Sequence, residues 1–101
     1  VRISGGGRCN VTHNCYEPDE LVKNYPRGKK ELLGPFYSFG PADTVQWFEE
    51  RGIKITAEKD GRMFPVSNSS ETIINCFLEE SKKYKIDILT RQGVKSFYIG
   101  P

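Results

Sequence analysis

Two rhythms of apolar and polar positions run along the chain and predict most of its elements. The clearest is helical: Ile73, Ile74, Phe77, Leu78 and Tyr84 recur at steps that place them on one helix face. Asn68-Ser69-Ser70-Glu71 precedes them with the spacing of an N-cap residue and a glutamate reaching back. A second helix is signalled by Gly40-Pro41-Ala42-Asp43, since proline is tolerated in a first turn and an acid there favours the dipole. Val45, Trp47 and Phe48 form its apolar side, and Arg51-Gly52 suits a left-handed C-terminal cap. Leu32, Leu33, Phe36 and Tyr37 give helical spacing over residues 29–37, interrupted by Pro35. A short helix over residues 18–24 should end near Tyr25-Pro26-Arg27-Gly28.

The other rhythm has period two. Ile53-Lys54-Ile55-Thr56-Ala57 alternates as a half-buried strand does, and Asp60-Gly61 supplies a turn that returns the chain through Arg62-Met63-Phe64. Pro65 donates no ladder hydrogen bond, so it should end that strand or sit at a sheet edge. Ile86-Asp87-Ile88 and residues 94–99 predict two further strands around a Gln92-Gly93 turn. The expected class is α/β: helices, a β-hairpin, a helix and two strands.

Composition narrows the setting. A chain of 101 residues makes one domain, 1–101, able to bury a modest core. With 37% hydrophobic and 28% charged residues it should fold as a globular protein. No apolar run approaches the ~20 residues that cross a bilayer, so no membrane partner is expected. The net charge of +2 is too small to predict a nucleic-acid partner. Lys82, Lys83 and Lys85 read instead as cations at a helix C-terminus. An odd set of cysteines (Cys9, Cys15 and Cys76) argues against a disulfide framework and for a reducing, cytoplasmic setting. Val1-Arg2-Ile3 reads as the exit of a strand, which predicts a piece of a longer protein.

The candidate chemistry lies in residues 4–14, SGGGRCNVTHN. Consecutive glycines let backbone N–H groups approach an anion, and Arg8 adds a fork suited to phosphate oxygens. Ser4 and Asn10 offer polar groups for a ribose, a pyrophosphate or a ring edge. Yet no Lys-Ser/Thr pair follows Gly7, as a P-loop needs, and Asn10 stands where G-x-G-x-x-G needs a glycine. A ligand loop and a plain tight turn are equally open at this point. Cys9, His13, Cys15 and Cys76 would make a Cys₃His zinc set, though at spacings unlike a zinc knuckle. Cys9 beside Arg8 is also a candidate nucleophile or redox thiol.

The run from Ser4 to Thr12 resembles the signature loop of the BaiN-type family of bacterial NAD(P)/FAD-dependent oxidoreductases, also described as NAD(FAD)-utilising dehydrogenase flavoproteins. The likeness continues through Asn24-Tyr25-Pro26-Arg27, through Trp47-Phe48 to Gly52, and through Gly61-Arg62-Met63-Phe64-Pro65-Val66-Ser67. This resemblance implies a glutathione-reductase-type FAD/NAD(P)-binding fold, of which the chain is an internal piece. It makes Ser4, Gly5, Gly6, Gly7, Arg8, Cys9, Asn10 and Thr12 expected FAD contacts, with no catalytic residue assigned and NAD(P)H a candidate reductant.

His13 departs from the asparagine expected after that threonine. The family's first strand, its own G-x-G-x-x-G turn and the acid for the adenosine ribose are not among these residues. Pyrophosphate anchoring rests on that first turn, so the chain alone is expected to bind FAD weakly or not at all and to be inactive. The intact protein is expected to act on an unknown small-molecule substrate. A stand-alone binding or interaction module without redox activity is the alternative.

Overall fold

The computed structural model describes residues 1–100 and mixes helices with a small sheet. A 3₁₀ turn at Ser4–Gly7 leads into a short strand β1 (Thr12–His13). Helix α1 (Pro18–Leu21) continues as a 3₁₀ turn over Val22–Asn24, and α2 (Lys29–Ser38) and α3 (Pro41–Glu49) follow. Strands β2 (Ile55–Ala57) and β3 (Arg62–Pro65) form the hairpin, and α4 (Ser70–Lys83) is the longest element.

The hairpin is where it was expected, but it is not alone. β3 lies between β2 and β1, antiparallel to both. Thr12 stands opposite Met63 and His13 opposite Arg62, so the exit of the glycine loop is stitched to the hairpin. Two residues of strand carry no periodicity, which is why β1 has no signature in the sequence. Pro65 closes β3 opposite Ile55, beyond the reach of β1, where its missing donor costs no bond to that neighbour.

Helix ends follow local chemistry. Gly40 donates its N–H to Asp43 Oδ2 at 2.8 Å, opening α3. At its other end Gly52 takes φ of 81° while Gly52 N donates to Glu49 O at 2.9 Å and Ile53 N to Phe48 O at 3.0 Å. That pair of bonds is the Schellman closure, with Ile53 packed on the core as the motif favours. At α4 the cap is Ser69, whose Oγ accepts from Glu71 N at 3.3 Å. Asn68 instead takes a left-handed turn at φ of 57°. Helix α2 runs through Pro35 and buries no residue, so little packing opposes a lost internal hydrogen bond there.

Cys9, Phe48, Ile55, Met63, Ile73 and Cys76 form the core, with Val11, Val45, Trp47 and Ile53 against it. α4 therefore buries Ile73 and Cys76, while Phe77, Leu78 and Tyr84 of the expected apolar face stay exposed. The two strands expected after α4 do not form: no helix or strand follows Lys83 among the described residues. Lys85 and Arg91 take left-handed φ of 56° and 57° just before the first run and between the two, and Ile86, Ile88, Val94, Phe97 and Ile99 are exposed. A strand needs a partner for its backbone groups, and these residues pair with none.

One ion pair ties α3 to α4. Arg51 Nε donates to Glu80 Oε1 at 2.7 Å and Nη1 to the Trp47 carbonyl at 2.8 Å, with its guanidinium 3.6 Å above the Trp47 ring. Both side chains are largely covered, so Arg51→Met is expected to cost about 1–3 kcal/mol, read as a lower urea midpoint.

Candidate functional site

The glycine loop is built on one aromatic ring. Phe64 projects from the central strand and is 1% exposed. A Cβ placed on Gly5 would stand 2.5 Å from Phe64 Cε1, and Gly5 also takes φ of 58°. Only glycine fits both demands. Arg8 lies over the same ring, its guanidinium carbon 3.9 Å from the centroid. Thus the two sequence stretches quoted above, around Gly5 and around Phe64, meet face to face.

The loop then closes on itself. Ser4 O accepts from Cys9 N at 2.9 Å, and Ser4 Oγ accepts from Asn10 N at 3.3 Å. Gly6 and Gly7 take φ of 69° and 90°, and nothing lies within 4 Å of where a Cβ on either would stand. They present bare backbone to open space.

Each expected contact residue has a definite place. Ser4, Cys9 and Asn10 line a cavity of about 350 Å³ with Thr44, Phe48 and Ile73. Asn10 and Thr12 line a neighbouring cavity of about 400 Å³ with His13, Tyr25, Phe36 and Phe39. Asn10, Val11 and Thr44 belong to both, so the two form one groove along β1 and α3. Gly5, Gly6, Gly7 and Arg8 lie outside its lining. With its carboxamide assigned so that nitrogen faces acceptors, Asn10 donates to Thr12 O at 3.0 Å and Met63 O at 3.3 Å.

Arg8 is not beside Cys9 as a thiolate-stabilising cation. Its Nη1 donates to Glu58 Oε1, and its Nε donates to Gly5 O at 3.3 Å. The Cys9 side chain turns into the core, where burial pushes its thiol above the ordinary range, and Cys76 is raised for the same reason. A thiol held protonated is a poor nucleophile, which removes the reactive reading of Cys9. Iodoacetamide at neutral pH should label Cys15 at least about tenfold faster than Cys9 or Cys76, read by peptide mass; denaturant should equalise all three. Stability should also fall as pH rises past the free-thiol range, because the unfolded thiols ionise first.

The Cys₃His reading is overturned as well. Among the described residues no group of three or more His, Cys, Asp or Glu side chains is placed to hold a metal. Cys9 and Cys76 share the core, whereas His13 packs on the hairpin turn: a Cβ on Gly61 would come within 2.5 Å of its ring. Arg62 is a surface arginine, paired through Nε with Asp60 Oδ2 at 2.6 Å.

Sequence reasoning missed Glu58 and Thr44. Neither belongs to a recognisable motif; each matters because a turn or a helix carries it to the loop. Phe64 was visible as part of a motif but not as the seat of Gly5, since contacts across fifty-odd residues leave no periodic trace.

No helix among the described residues is long and apolar enough to cross a membrane. Residues 1–100 match the family described as HI0933-like protein Rossmann domain. A curated relative, ribosomal RNA dihydrouridine synthase of Escherichia coli (strain K12), is 27% identical over 96 residues. That alignment covers 95% of this chain and 23% of the relative, so the chain spans less than a quarter of that protein's length. A family match over nearly every residue places it plainly: the chain belongs to the HI0933-like protein Rossmann-domain family.

Proposed function

We propose that this chain forms a secondary wall of the FAD site in a flavin-dependent oxidoreductase of BaiN type with a glutathione-reductase-like fold. The observation that carries this reading is the open edge at Gly6 and Gly7. Left-handed backbone without side chains, facing free space beside Ser4 and Asn10, fits a flat or anionic group at close range. FAD, when bound, would supply the electron pair for reduction, with NADH or NADPH as its source. The residues here would orient it: the glycine edge by close approach, Ser4 and Asn10 by hydrogen bonds, and Thr12 from the groove wall.

The family match supports this over a stand-alone binding module. For the intact protein, the relative's name suggests a specific substrate class, a uracil ring in ribosomal RNA reduced at its ring double bond. Such a step adds two electrons and two protons to one carbon–carbon double bond. The small net charge of these residues does not bear on RNA binding by the rest of a longer protein. A free small molecule remains the other substrate class, and the groove of about 400 Å³ with Tyr25, Phe36 and Phe39 on one side has room for a planar ring of either.

The test is to purify the intact protein carrying this sequence, release its cofactor by heat, and identify it. FAD near one per chain, bleached anaerobically by NADH or NADPH, is expected. Ribosomal RNA and free uridine then compete as acceptors. A colourless protein that takes up no FAD would overturn the proposal.

A further inference from the structure

Glu58 lies at the end of the hairpin, outside every stretch that carries the family resemblance, yet its carboxylate accepts from Arg8 of the glycine loop. Its backbone is fixed by the turn: Glu58 N donates to Arg62 O at 2.8 Å, and Gly61 N donates to Glu58 O at 2.9 Å. One carboxylate oxygen takes Arg8 Nη1. The other lies 3.8 Å from Arg62 Nη2. Arg62 also reaches the Phe64 ring, with its guanidinium carbon 5.4 Å from the centroid. Glu58 therefore bridges two arginines that share one aromatic ring, and the ring in turn backs Gly5.

Resting on the FAD reading above, we propose that Glu58 is a positioning residue for the glycine loop. It neutralises Arg8 and keeps the guanidinium flat on Phe64, so that Arg8 braces Gly5 from behind and the cofactor meets the bare backbone of Gly6 and Gly7. Three contacts already engage Arg8: the carboxylate, the Gly5 carbonyl and the ring. An arginine serving as a phosphate clamp would have to offer its remaining N–H groups while Nη1 stays on Glu58, bringing a second anion close to that carboxylate. That arrangement is repulsive at short range. A brace needs no such approach.

The two roles separate in a double-mutant cycle on the intact flavoprotein. If Arg8 braces the loop, Glu58→Gln and Arg8→Gln each weaken FAD binding about tenfold, the double variant is no weaker than the worse single, and Glu58→Asp recovers part of the loss. Both singles also shift the flavin absorption envelope in the same direction, which a general loss of stability would not do. If instead Arg8 clamps a phosphate, Glu58→Gln binds FAD as tightly as the native protein or tighter, while Arg8→Gln alone weakens it. That result overturns the proposal.

A readout without cofactor keeps the inference separate from the FAD reading. In the amide spectrum of this 101-residue chain, Glu58→Gln should move the Gly5, Gly6 and Gly7 resonances through the altered stacking on Phe64. Unmoved glycine resonances would refute a positioning role, whatever the flavin measurements give. Shifted resonances in a protein that binds no FAD would leave Glu58 as the loop's support and remove only the cofactor.

Discussion

Phe64→Ala is expected to cost about 3–5 kcal/mol, the range for emptying a buried phenylalanine site. Small domains have about 5–15 kcal/mol in all, so the variant should be near the edge of folding. Two terms add at this position. Phe64 is 1% exposed on the central strand, so its removal leaves a cavity between the sheet and the loop. Its ring also carries Arg8 and blocks any side chain at Gly5. Urea titration should show a midpoint far below that of the native chain. Phe64→Leu, which refills most of the volume without an aromatic face, should recover stability but not the native Gly5–Gly7 amide shifts. A full recovery of both would mean that the ring face has no part in holding the loop.

The second large effect distinguishes neighbouring glycines. Gly5→Ala must place a methyl 2.5 Å from Phe64 Cε1 and 3.0 Å from Asn10 N, in a left-handed conformation that costs an alanine about 1–2 kcal/mol by itself. The clash adds to that strain because Phe64 has no room to retreat. Gly6→Ala bears the same conformational strain but meets nothing within 4 Å. Thermal melting should therefore place Gly5→Ala well below Gly6→Ala, although the substitutions are chemically identical. Equal losses at the two positions would show that strain alone governs the loop and that contact with Phe64 is incidental.

Elements fixed by nearby residues were legible in the sequence. The Gly40–Asp43 start of α3, its Gly52 closure and the Asp60-Gly61 hairpin all formed as read, because each is set by bonds spanning a few residues. The start of α4 was read one residue early, since Asn68 and Ser69 are both good caps and a left-handed Asn68 decided between them. Its apolar stripe holds as a stripe but is buried unevenly: Ile73 and Cys76 enter the core, and Phe77 sets its ring against Trp47 and Phe48 while remaining partly exposed. Periodicity shows which residues share a stripe, and only packing decides how deeply each is covered. Residues 86–88 and 94–99 have strand patterning, yet patterning supplies no partner and no ladder forms.

The site was legible by residue type more than by arrangement. Ser4, Asn10 and Thr12 do face the groove, in keeping with their short polar side chains. Cys9 and Arg8 read as reactive when taken as neighbours in the chain. In space one turns into the core and the other toward Glu58, because successive side chains leaving a left-handed turn diverge.

The most direct measurement of the central claim is the FAD dissociation constant of the intact protein with Gly6 native and with Gly6→Ala. Melting of each sets the strain of the substitution apart from its effect on the ligand. If the open backbone edge lies against the cofactor, the added methyl should weaken FAD binding at least about tenfold, the equivalent of about 1.4 kcal/mol, while the fold persists. An unchanged FAD affinity in a folded Gly6→Ala protein would contradict the account, because the glycine edge would then face something other than the flavin.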